Sequence, residues 1–313
     1  MNPRLLVVGD SLELLKGFPP EHFSACITDP PYNYEFIGHK WSDAEIDRRI
    51  DRVKDSNTLV KNIPYGSGLA GGVRNSRWYQ RVNENIADYR KWCFEWSSSL
   101  YEKMKPGAFV LVFNSTRTVA HIQVALEQAG FYARDILVYR RHSGIPKGLN
   151  AAKKLQSQGD EDWQQWQGWH SALRNEWEAI CVVQKPLIGN YVKTIKSSGV
   201  GLFRAESEAG FQSNILEGFR FGSLDKTDEH VTVKPVSLMS HLVSLTVPTE
   251  ANHIVIDPFM GTGTTCLAAE MLDIDYVGID INPKWVKLAE QRIADVRSSI
   301  DGGATTFSTQ NQT

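Results

Sequence analysis

The sequence predicts an α/β fold in which helices cover both faces of a mainly parallel β-sheet. Short apolar runs alternate with segments whose apolar residues recur at helical spacing, a pattern typical of parallel α/β sheets. Two of these runs end in Asp-Pro, at Asp29 and at Asp257, and proline cannot continue a strand ladder. The second of these is followed by glycines and then by the helical segment Thr264–Met271, which is the order of a strand–turn–helix unit.

Each element is predicted from an apolar run and from the residues that end it. The predicted strands are Leu5–Val8, Ser24–Thr28, Ala108–Phe113, Ile136–Tyr139, Glu178–Val183, His253–Asp257 and Tyr276–Ile279. The predicted helices are Ser11–Lys16, Glu84–Met104, Thr118–Gln128, Pro235–Leu245, Thr264–Met271 and Pro283–Val296. Gly and Pro separate several of them, as at Pro106-Gly107 and at Gly130.

One domain is expected over residues 1–297, because 313 residues suit one large domain with insertions. The polar, glycine-containing segment 33–83 is longer than an ordinary loop and predicts a functional insertion. Segment 187–229 is weakly periodic and predicts a second insertion. The Ser-, Thr- and Gln-rich end, 298–313, is predicted to be disordered.

Composition is that of an ordinary globular protein, with a net charge of -2, 42% hydrophobic and 22% charged residues. The chain has no apolar run long enough to span a bilayer and no signal-peptide pattern at its start, so a cytoplasmic protein without a membrane partner is expected. The four cysteines are scattered without a CxxC motif and are predicted to be buried, reduced thiols. No HExxH motif is present, and no metal site is expected.

The segment Asp257–Thr265 predicts a site for a nucleoside-type cofactor. Gly261 and Gly263 permit a tight turn and close approach of a ligand to the backbone before a helix opens. A second strand ends at Asp280, roughly 20 residues further on, where an acid can bind ribose hydroxyls. Taken alone, the segment also fits an ordinary strand–helix turn. A phosphate-binding P-loop is excluded because no lysine follows Gly263.

The segment Asp29-Pro30-Pro31-Tyr32 predicts a site that holds an amino group. An exocyclic amine of adenine or cytosine is a poor nucleophile, because its lone pair is delocalised into the ring. The Asp29 carboxylate and the rigidly held Pro30 carbonyl can accept its two N–H bonds. Tyr32 offers an aromatic face on which an extruded base can stack. A proline-rich turn after a strand is the structural alternative.

The two segments together indicate methyl transfer to an amino group of a nucleobase. Methylation of cytosine carbon-5 needs a cysteine nucleophile instead. In enzymes of that type the cysteine follows a proline, and no cysteine of this chain does.

With the two motifs in this order, the chain resembles S-adenosylmethionine-dependent DNA amino-methyltransferases of the beta arrangement, which place the catalytic motif before the cofactor motif. The resemblance covers roughly residues 5–296. It is carried by Gly9-Asp10-Ser11, Thr28–Asn33, His230–Pro235 and Asp257–Thr265. Segments between them, such as Ser143–Lys147 and Gly168–Leu173, are similar to methylases of phages and prophages. The chain departs from the family's H-P-T-x-K-P pattern at Val231.

The resemblance implies a Rossmann-like class I methyltransferase fold with circularly permuted motif order and DNA-binding insertions, and it implies S-adenosyl-L-methionine as the cofactor. The residues implied to bind the target amine are Asp29, Pro30, Pro31 and Tyr32. Those implied to bind the cofactor are Asp10 on the adenine side, Lys234, Asp257, Phe259, Gly261, Gly263, Thr264, Thr265, and Asp280 on the ribose.

The expected reaction is methylation of adenine N6 in double-stranded DNA after base flipping. Cytosine N4 is the alternative base, although that group of enzymes tends to have Ser where this chain has Asp29. A protein-glutamine methyltransferase and a catalytically inactive DNA-binding protein are more distant alternatives. The resemblance leaves open a homodimer and a cognate restriction endonuclease.

DNA contacts are predicted from basic residues, and 187–229 is predicted to recognise the target by its position alone. The basic residues are Arg140, Arg141, Lys147, Lys193 and Lys196. Segment 33–83 is predicted to close over the DNA or the flipped base.

Overall fold

The computed structural model describes residues 4–32, 76–141, 148–208, 210–225, 233–248 and 253–301, with the backbone alone for 76–82 and 299–301. Most of the predicted insertion 33–83, together with Lys147 and residues 230–232, lies outside the described residues. The chain divides into two compact units, one of Met1–Tyr32, Tyr89–Arg140 and Glu178–Thr313, the other of Asn33–Asp88 and Arg141–Trp177.

The larger unit is built on an eight-stranded sheet. Its strands are β1 (Arg4–Val8), β2 (Phe23–Thr28), β3 (Met104–Asn114), β4 (Tyr132–Arg140), β5 (Trp177–Gln184), β8 (Ile215–Leu216), β9 (Ile254–Asp257) and β10 (Asp275–Asp280). Their order across the sheet is β1-β10-β9-β2-β3-β5-β4-β8. A separate two-stranded ribbon pairs β6 (Glu206–Ser207) with β7 (Gly210–Phe211). Strand β5 runs antiparallel to β3, whereas the pairs β1–β10, β10–β9, β9–β2, β2–β3 and β4–β8 are parallel. The predicted mainly parallel sheet is therefore confirmed.

Helices connect the strands. They are α1 (Ser11–Lys16), α2 (Ser76–Lys103), α3 (Val119–Gln128), α4 (Ala151–Ser157), α5 (Tyr191–Ser198), α6 (Val236–Thr246), α7 (Thr264–Met271) and α8 (Pro283–Asp301). None of the helices in the described part of the chain is both long and apolar enough to cross a membrane.

The central strands form the core of the larger unit. Every residue of β2 is buried, and so is β3 from Gly107 to Asn114, which means that both faces of the sheet are covered there. Helices α6 and α7 contribute Leu242, Leu267 and other apolar side chains to the same cluster. Strands buried on both faces are expected to be nearly continuous in apolar residues. That explains why these strands were readily predicted.

The carboxyl ends of β2, β9 and β10 meet at one edge of the sheet, because these strands are neighbours and parallel. They end at Thr28, Asp257 and Asp280. Strand β5 runs the other way, with Ala179 opposite Asn114 at the end of β3. The antiparallel direction therefore brings Glu178, near the start of β5, to this edge, which we call the carboxyl edge.

Several boundaries differ from the prediction. Helix α2 begins at Ser76 rather than at Glu84, since no Gly or Pro interrupts the chain after Gly72. Helix α8 runs through Ser298 to Asp301, into the segment predicted to be disordered, and residues 302–313 lie outside the described part. The short elements α4, α5 and β6 to β8 were not predicted, because their apolar residues are too few to show a period.

The smaller unit contains α4 and a 3₁₀ turn, Trp163–Trp166. Asn150 caps α4 by accepting a hydrogen bond from the Lys153 N–H, at 3.0 Å. Asn150 also forms an antiparallel bridge with His170. Trp166 and Trp169 are exposed, with their rings 6.1 Å apart.

All four cysteines, Cys26, Cys93, Cys181 and Cys266, are buried and free, as predicted. Burial, together with nearby Asp257, raises the pKa of Cys26 and of Cys266 well above the ordinary value of a thiol. Neither thiol is thereby suited to nucleophilic attack on a ring carbon. Among the described residues, no cluster of His, Cys, Asp and Glu could hold a metal ion.

Candidate active site

Asp29 and Tyr32 lie directly after β2, at the carboxyl edge, and contact each other. The Tyr32 hydroxyl donates a 2.6 Å hydrogen bond to Oδ1 of Asp29. Burial and the carboxylates of Asp29 and Glu178 raise the pKa of Tyr32 well above its ordinary value, so that its hydroxyl stays protonated. The Tyr32 hydroxyl therefore holds the Asp29 carboxylate in place.

The ammonium group of Lys234 contacts the Asp29 carboxylate. The ammonium is 2.5 Å from Oδ2 of Asp29 and 3.2 Å from the Tyr32 hydroxyl. The sequence placed Lys234 among the residues that hold the cofactor, whereas the structure places its ammonium against Asp29 and Tyr32. The ammonium also stands 5.0 Å from the centre of the Phe113 ring.

Glu178 is a third member of this group, and the sequence analysis missed its role. Its Oε2 lies 3.2 Å from the Lys234 ammonium, and its side chain is 14% exposed against 11% for the lysine. Burial lowers the pKa of Lys234, but Asp29 and Glu178 outweigh burial and raise it above its ordinary value. The lysine is therefore charged. The only local signal for Glu178 is an acid at the start of a buried apolar strand.

Asp257 connects strand β2 to the glycine turn. Its Oδ1 accepts hydrogen bonds from the Thr28 hydroxyl, at 2.6 Å, and from the Phe259 N–H, at 3.1 Å. Its Oδ2 accepts one from the Thr265 hydroxyl, at 2.5 Å. Burial raises the pKa of Asp257 to about 7, although these three hydrogen bonds act to lower it. Asp257 was predicted to bind the cofactor, and the structure shows it bonded within the protein.

The glycine turn between β9 and α7 requires left-handed backbone. Gly261 has φ 52° and Gly263 has φ 76°, a region that side chains other than glycine rarely adopt. A Cβ on Gly263 would also lie 2.6 Å from the Cβ of Ala289 in α8. The glycines therefore let the turn fold tightly against the protein.

Asp280 lies beside this turn at the end of β10. Its Oδ2 accepts from the Gly261 N–H at 2.9 Å, and its Oδ1 accepts from the Asn282 N–H at 2.8 Å. Burial raises its pKa, although these backbone hydrogen bonds act in the opposite direction. Each carboxylate oxygen has a second lone pair that can accept from a ligand hydroxyl.

Arg292 of α8 is buried beneath the turn and holds it. Its Nη1 donates to the Thr262 carbonyl at 2.7 Å and to the Thr264 hydroxyl at 3.1 Å, and its Nη2 donates to the Leu224 carbonyl at 2.9 Å. Burial lowers the pKa of Arg292. The hydroxyls of Thr264 and Thr265 both make contacts within the protein.

Replacing Arg292 with methionine is expected to lower the free energy of unfolding by about 2–3 kcal/mol, because buried carbonyls lose their donors. The affinity for S-adenosylmethionine should fall as well, since the turn loses its support. Chemical denaturation and calorimetric titration of the cofactor measure the two effects. Lys287→Met, at an exposed position of the same helix, is the control and should change neither. Unchanged stability of the Arg292→Met variant would contradict the assigned contacts.

Asp10 and Phe259, both predicted to bind the cofactor, also make contacts within the protein. Asp10 is exposed and caps α1 by accepting from the Leu12 N–H at 2.8 Å. The Phe259 ring lies 5.2 Å from that of Trp92 and 5.4 Å from that of Trp96. The structure thus gives both residues a structural contact in addition to the predicted contact with the cofactor.

The basic residues predicted to touch DNA are not brought together. Arg140 ends β4 and pairs with Glu217 at 3.1 Å, and the next residue, Arg141, donates its N–H to the Glu176 carbonyl just before β5. Arg140, at the end of β4, is therefore near the carboxyl edge.

Lys193 and Lys196 belong to α5, whose Thr194 packs against Gly107 near the amino end of β3. At 3.3 Å per residue, that point is about 23 Å along β3 from Asn114. These lysines lie towards the opposite edge of the sheet.

The residues of the turn fit S-adenosylmethionine. The N-terminal end of a helix favours a carboxylate such as that of the methionine half. Asp280 retains acceptor capacity for ribose hydroxyls, and the exposed Asp10 lies one strand further along the same edge.

Comparisons with known proteins agree with this arrangement. The family model described as DNA methylase matches residues 23–291. The type II methyltransferase M.HindIII of Haemophilus influenzae is 28% identical over 300 residues, which cover 91% of this chain and 93% of that protein. M2.MboI of Moraxella bovis is 21% identical over 289 residues, with 92% and 86% covered.

Solved structures share the fold. The M1.HpyAVI–SAM complex has a TM-score of 0.53 at 18% identity, with 92% of this chain and 98% of that one covered. The PvuII DNA methyltransferase, which is cytosine-N4-specific, has a TM-score of 0.56 at 16% identity, with 95% and 92% covered. The predicted Rossmann-like class I fold is thereby confirmed.

Proposed function

Because this chain belongs to the DNA methylase family, with S-adenosylmethionine as methyl donor, we propose that it methylates the exocyclic N6 of adenine in duplex DNA. The observation that carries the proposal is the Asp29–Tyr32 segment at the carboxyl end of β2, tied through Thr28 and Asp257 to the turn that fits the cofactor. An aspartate at the first position of this segment favours adenine over cytosine.

The side chains of the site prepare the amine for attack. The flipped base stacks on the Tyr32 ring, and its amino group donates to the Asp29 carboxylate and to the Pro30 carbonyl. Two acceptors draw the nitrogen towards tetrahedral geometry and free its lone pair. When bound, S-adenosylmethionine would supply an electrophilic methyl group, whose bond to the sulfonium sulfur would break as the bond to the amine nitrogen forms. Asp29 stabilises the positive charge that develops on the nitrogen, in a partly buried site where such an interaction is strong, and the surplus proton of the methylated amine then passes to solvent.

Cofactor contacts are assigned to the turn and its neighbours. The backbone of Gly261–Thr265 faces the methionine half, Asp280 binds the ribose, and Asp10 lies on the adenine side. Asp257 supports these residues from beneath. DNA contacts are assigned to Arg140 and to residues 217–221, which follow β8 at the carboxyl edge and include Arg220 and the exposed Phe221. Within the segment 187–229, residues 217–221 are therefore the part that we propose for target recognition.

The relatives M.HindIII and M2.MboI are type II methyltransferases, and we infer that this protein likewise modifies a specific sequence alongside a cognate restriction endonuclease. A homodimer is a further proposal, which light scattering of the purified protein tests.

Nucleoside analysis tests the proposed base. Purified protein is incubated with labelled S-adenosylmethionine and mixed-sequence duplex DNA, and the digest is analysed by mass spectrometry. N6-methyladenine is expected. N4-methylcytosine would keep the family and the amine chemistry but overturn the choice of base, and the cytosine-N4-specific PvuII enzyme shows that this fold accommodates that reaction.

A further inference from the structure

We propose that Glu178 is a positioning residue that shares the Lys234 ammonium with Asp29 and so keeps the Asp29 carboxylate available to the target amine. This rests on the proposed function, since it concerns the same amine site. The three side chains come from the residue directly after β2, from the start of β5 and from the residue two before α6, and Asp29 and Lys234 are 205 positions apart in the sequence. Because these segments are far apart in sequence, the three side chains meet only when the sheet has folded.

Competition for Asp29 is the first step of the argument. Its two oxygens already receive the Tyr32 hydroxyl and the Lys234 ammonium, and the incoming amine must share them. An ammonium paired with the partly buried Asp29 carboxylate alone would direct all of its charged hydrogen bonds to that carboxylate. A second carboxylate, 3.2 Å away, gives the ammonium another partner when the base arrives.

Charge is the second step. Two carboxylates and one ammonium leave the group with one net negative charge, whereas Asp29 and Lys234 alone would be neutral. The amine nitrogen becomes positive as it takes the methyl group. A net negative charge fixed beside it stabilises that state more than a neutral pair does.

The lysine in turn supplies the counter-charge that the two carboxylates share. Without it, two acids of this partly buried pocket would face each other without a counter-charge, and both burial and mutual repulsion disfavour ionisation. The group is therefore predicted to act as a unit, in which each change has a distinct signature in the pH profile.

Three variants test the proposal: Glu178→Gln, Lys234→Met and the double variant. Glu178→Gln should lower kcat about tenfold, the order of coupling within one network. Its affinity for S-adenosylmethionine should not change, and the acid limb of its pH profile should not move to higher pH. Lys234→Met should move the acid limb to higher pH, because the two carboxylates lose the cation that they share. The double variant should move that limb back towards the wild type. Glu161→Gln, an exposed acid, is the control.

Unfolding supplies a readout independent of activity. A raised carboxyl pKa in the folded state makes stability fall as pH rises, so Lys234→Met should lose stability relative to the double variant between about pH 4 and pH 7. Superimposed activity and stability profiles of the three variants would overturn the proposal. Absence of methylation by the wild type would instead refute the proposed function, while the unfolding profiles would still test the coupling of Glu178 to Lys234.

Discussion

Replacing Asp29 with alanine is expected to lower kcat by about 10³-fold, because the amine loses the charged acceptor that stabilises its developing positive charge. The dissociation constant of S-adenosylmethionine should be nearly unchanged, since Asp29 bonds to Tyr32 and Lys234 rather than to the glycine turn. Single-turnover methylation and calorimetric titration measure the two quantities.

Two further variants distinguish the effect of the Asp29 charge from the effects of side-chain shape. Asp29→Asn keeps the volume and one acceptor but removes the charge, and it should be nearly as inactive as Asp29→Ala. Tyr32→Phe keeps the ring that stacks on the base and removes only the hydroxyl, so its loss should be smaller. Asp160→Asn is the control at an exposed position. Turnover near the wild-type rate in Asp29→Asn would refute the electrostatic role.

Asp257→Asn is expected to remove a pH dependence of stability that amounts to as much as about 4 kcal/mol. The folded protein holds the proton of Asp257 up to a pKa of about 7, whereas the ordinary value is 3.8. Between these values the folded state binds more protons than the unfolded state, so stability falls as pH rises. A difference of roughly 3 units at 1.36 kcal/mol per unit gives the stated amount.

The hydrogen bonds around Asp257 explain how asparagine can replace the protonated acid. A proton on Oδ2 can be donated to the Thr265 hydroxyl, which lies 3.4 Å from the Ile27 carbonyl and can donate to it in turn. The side-chain amide of asparagine can make the same donation. Wild type and variant should therefore differ in stability increasingly from pH 4 to pH 7, with the variant favoured at pH 7. Urea denaturation at fixed pH values measures the difference, and parallel curves would contradict the prediction.

Local sequence predicted the elements that an apolar run and a breaker define together. Helices α1 and α7 match their predicted bounds, since each follows a strand end and a turn at Asp10 or Gly263. The direction of β5 was not predicted, because a run of apolar residues has the same pattern in a parallel and in an antiparallel strand. That direction is what brings Glu178 to the site.

The site was predicted only as far as its contiguous motifs reach. Asp29 to Tyr32 and Asp257 to Thr265 each form one segment, and each lies at the predicted strand end. The bonds of Lys234 and Arg292 join residues far apart in sequence, and no spacing in the chain reveals them. Motif resemblance assigned Lys234 to the cofactor, whereas its position depends on charge pairing with Asp29 and Glu178.

The order of the strands in the sheet determines when, during translation, the site can assemble. Strand β1 pairs with β10 in the described sheet, and β2 borders β9, so strands made first wait for partners made last. The Thr28–Asp257 contact closes a loop of 229 residues. A ribosome must therefore release most of the chain before the amine site and the cofactor turn can join, and a message truncated ahead of β9 yields a polypeptide with its amine motif but without the means to methylate DNA.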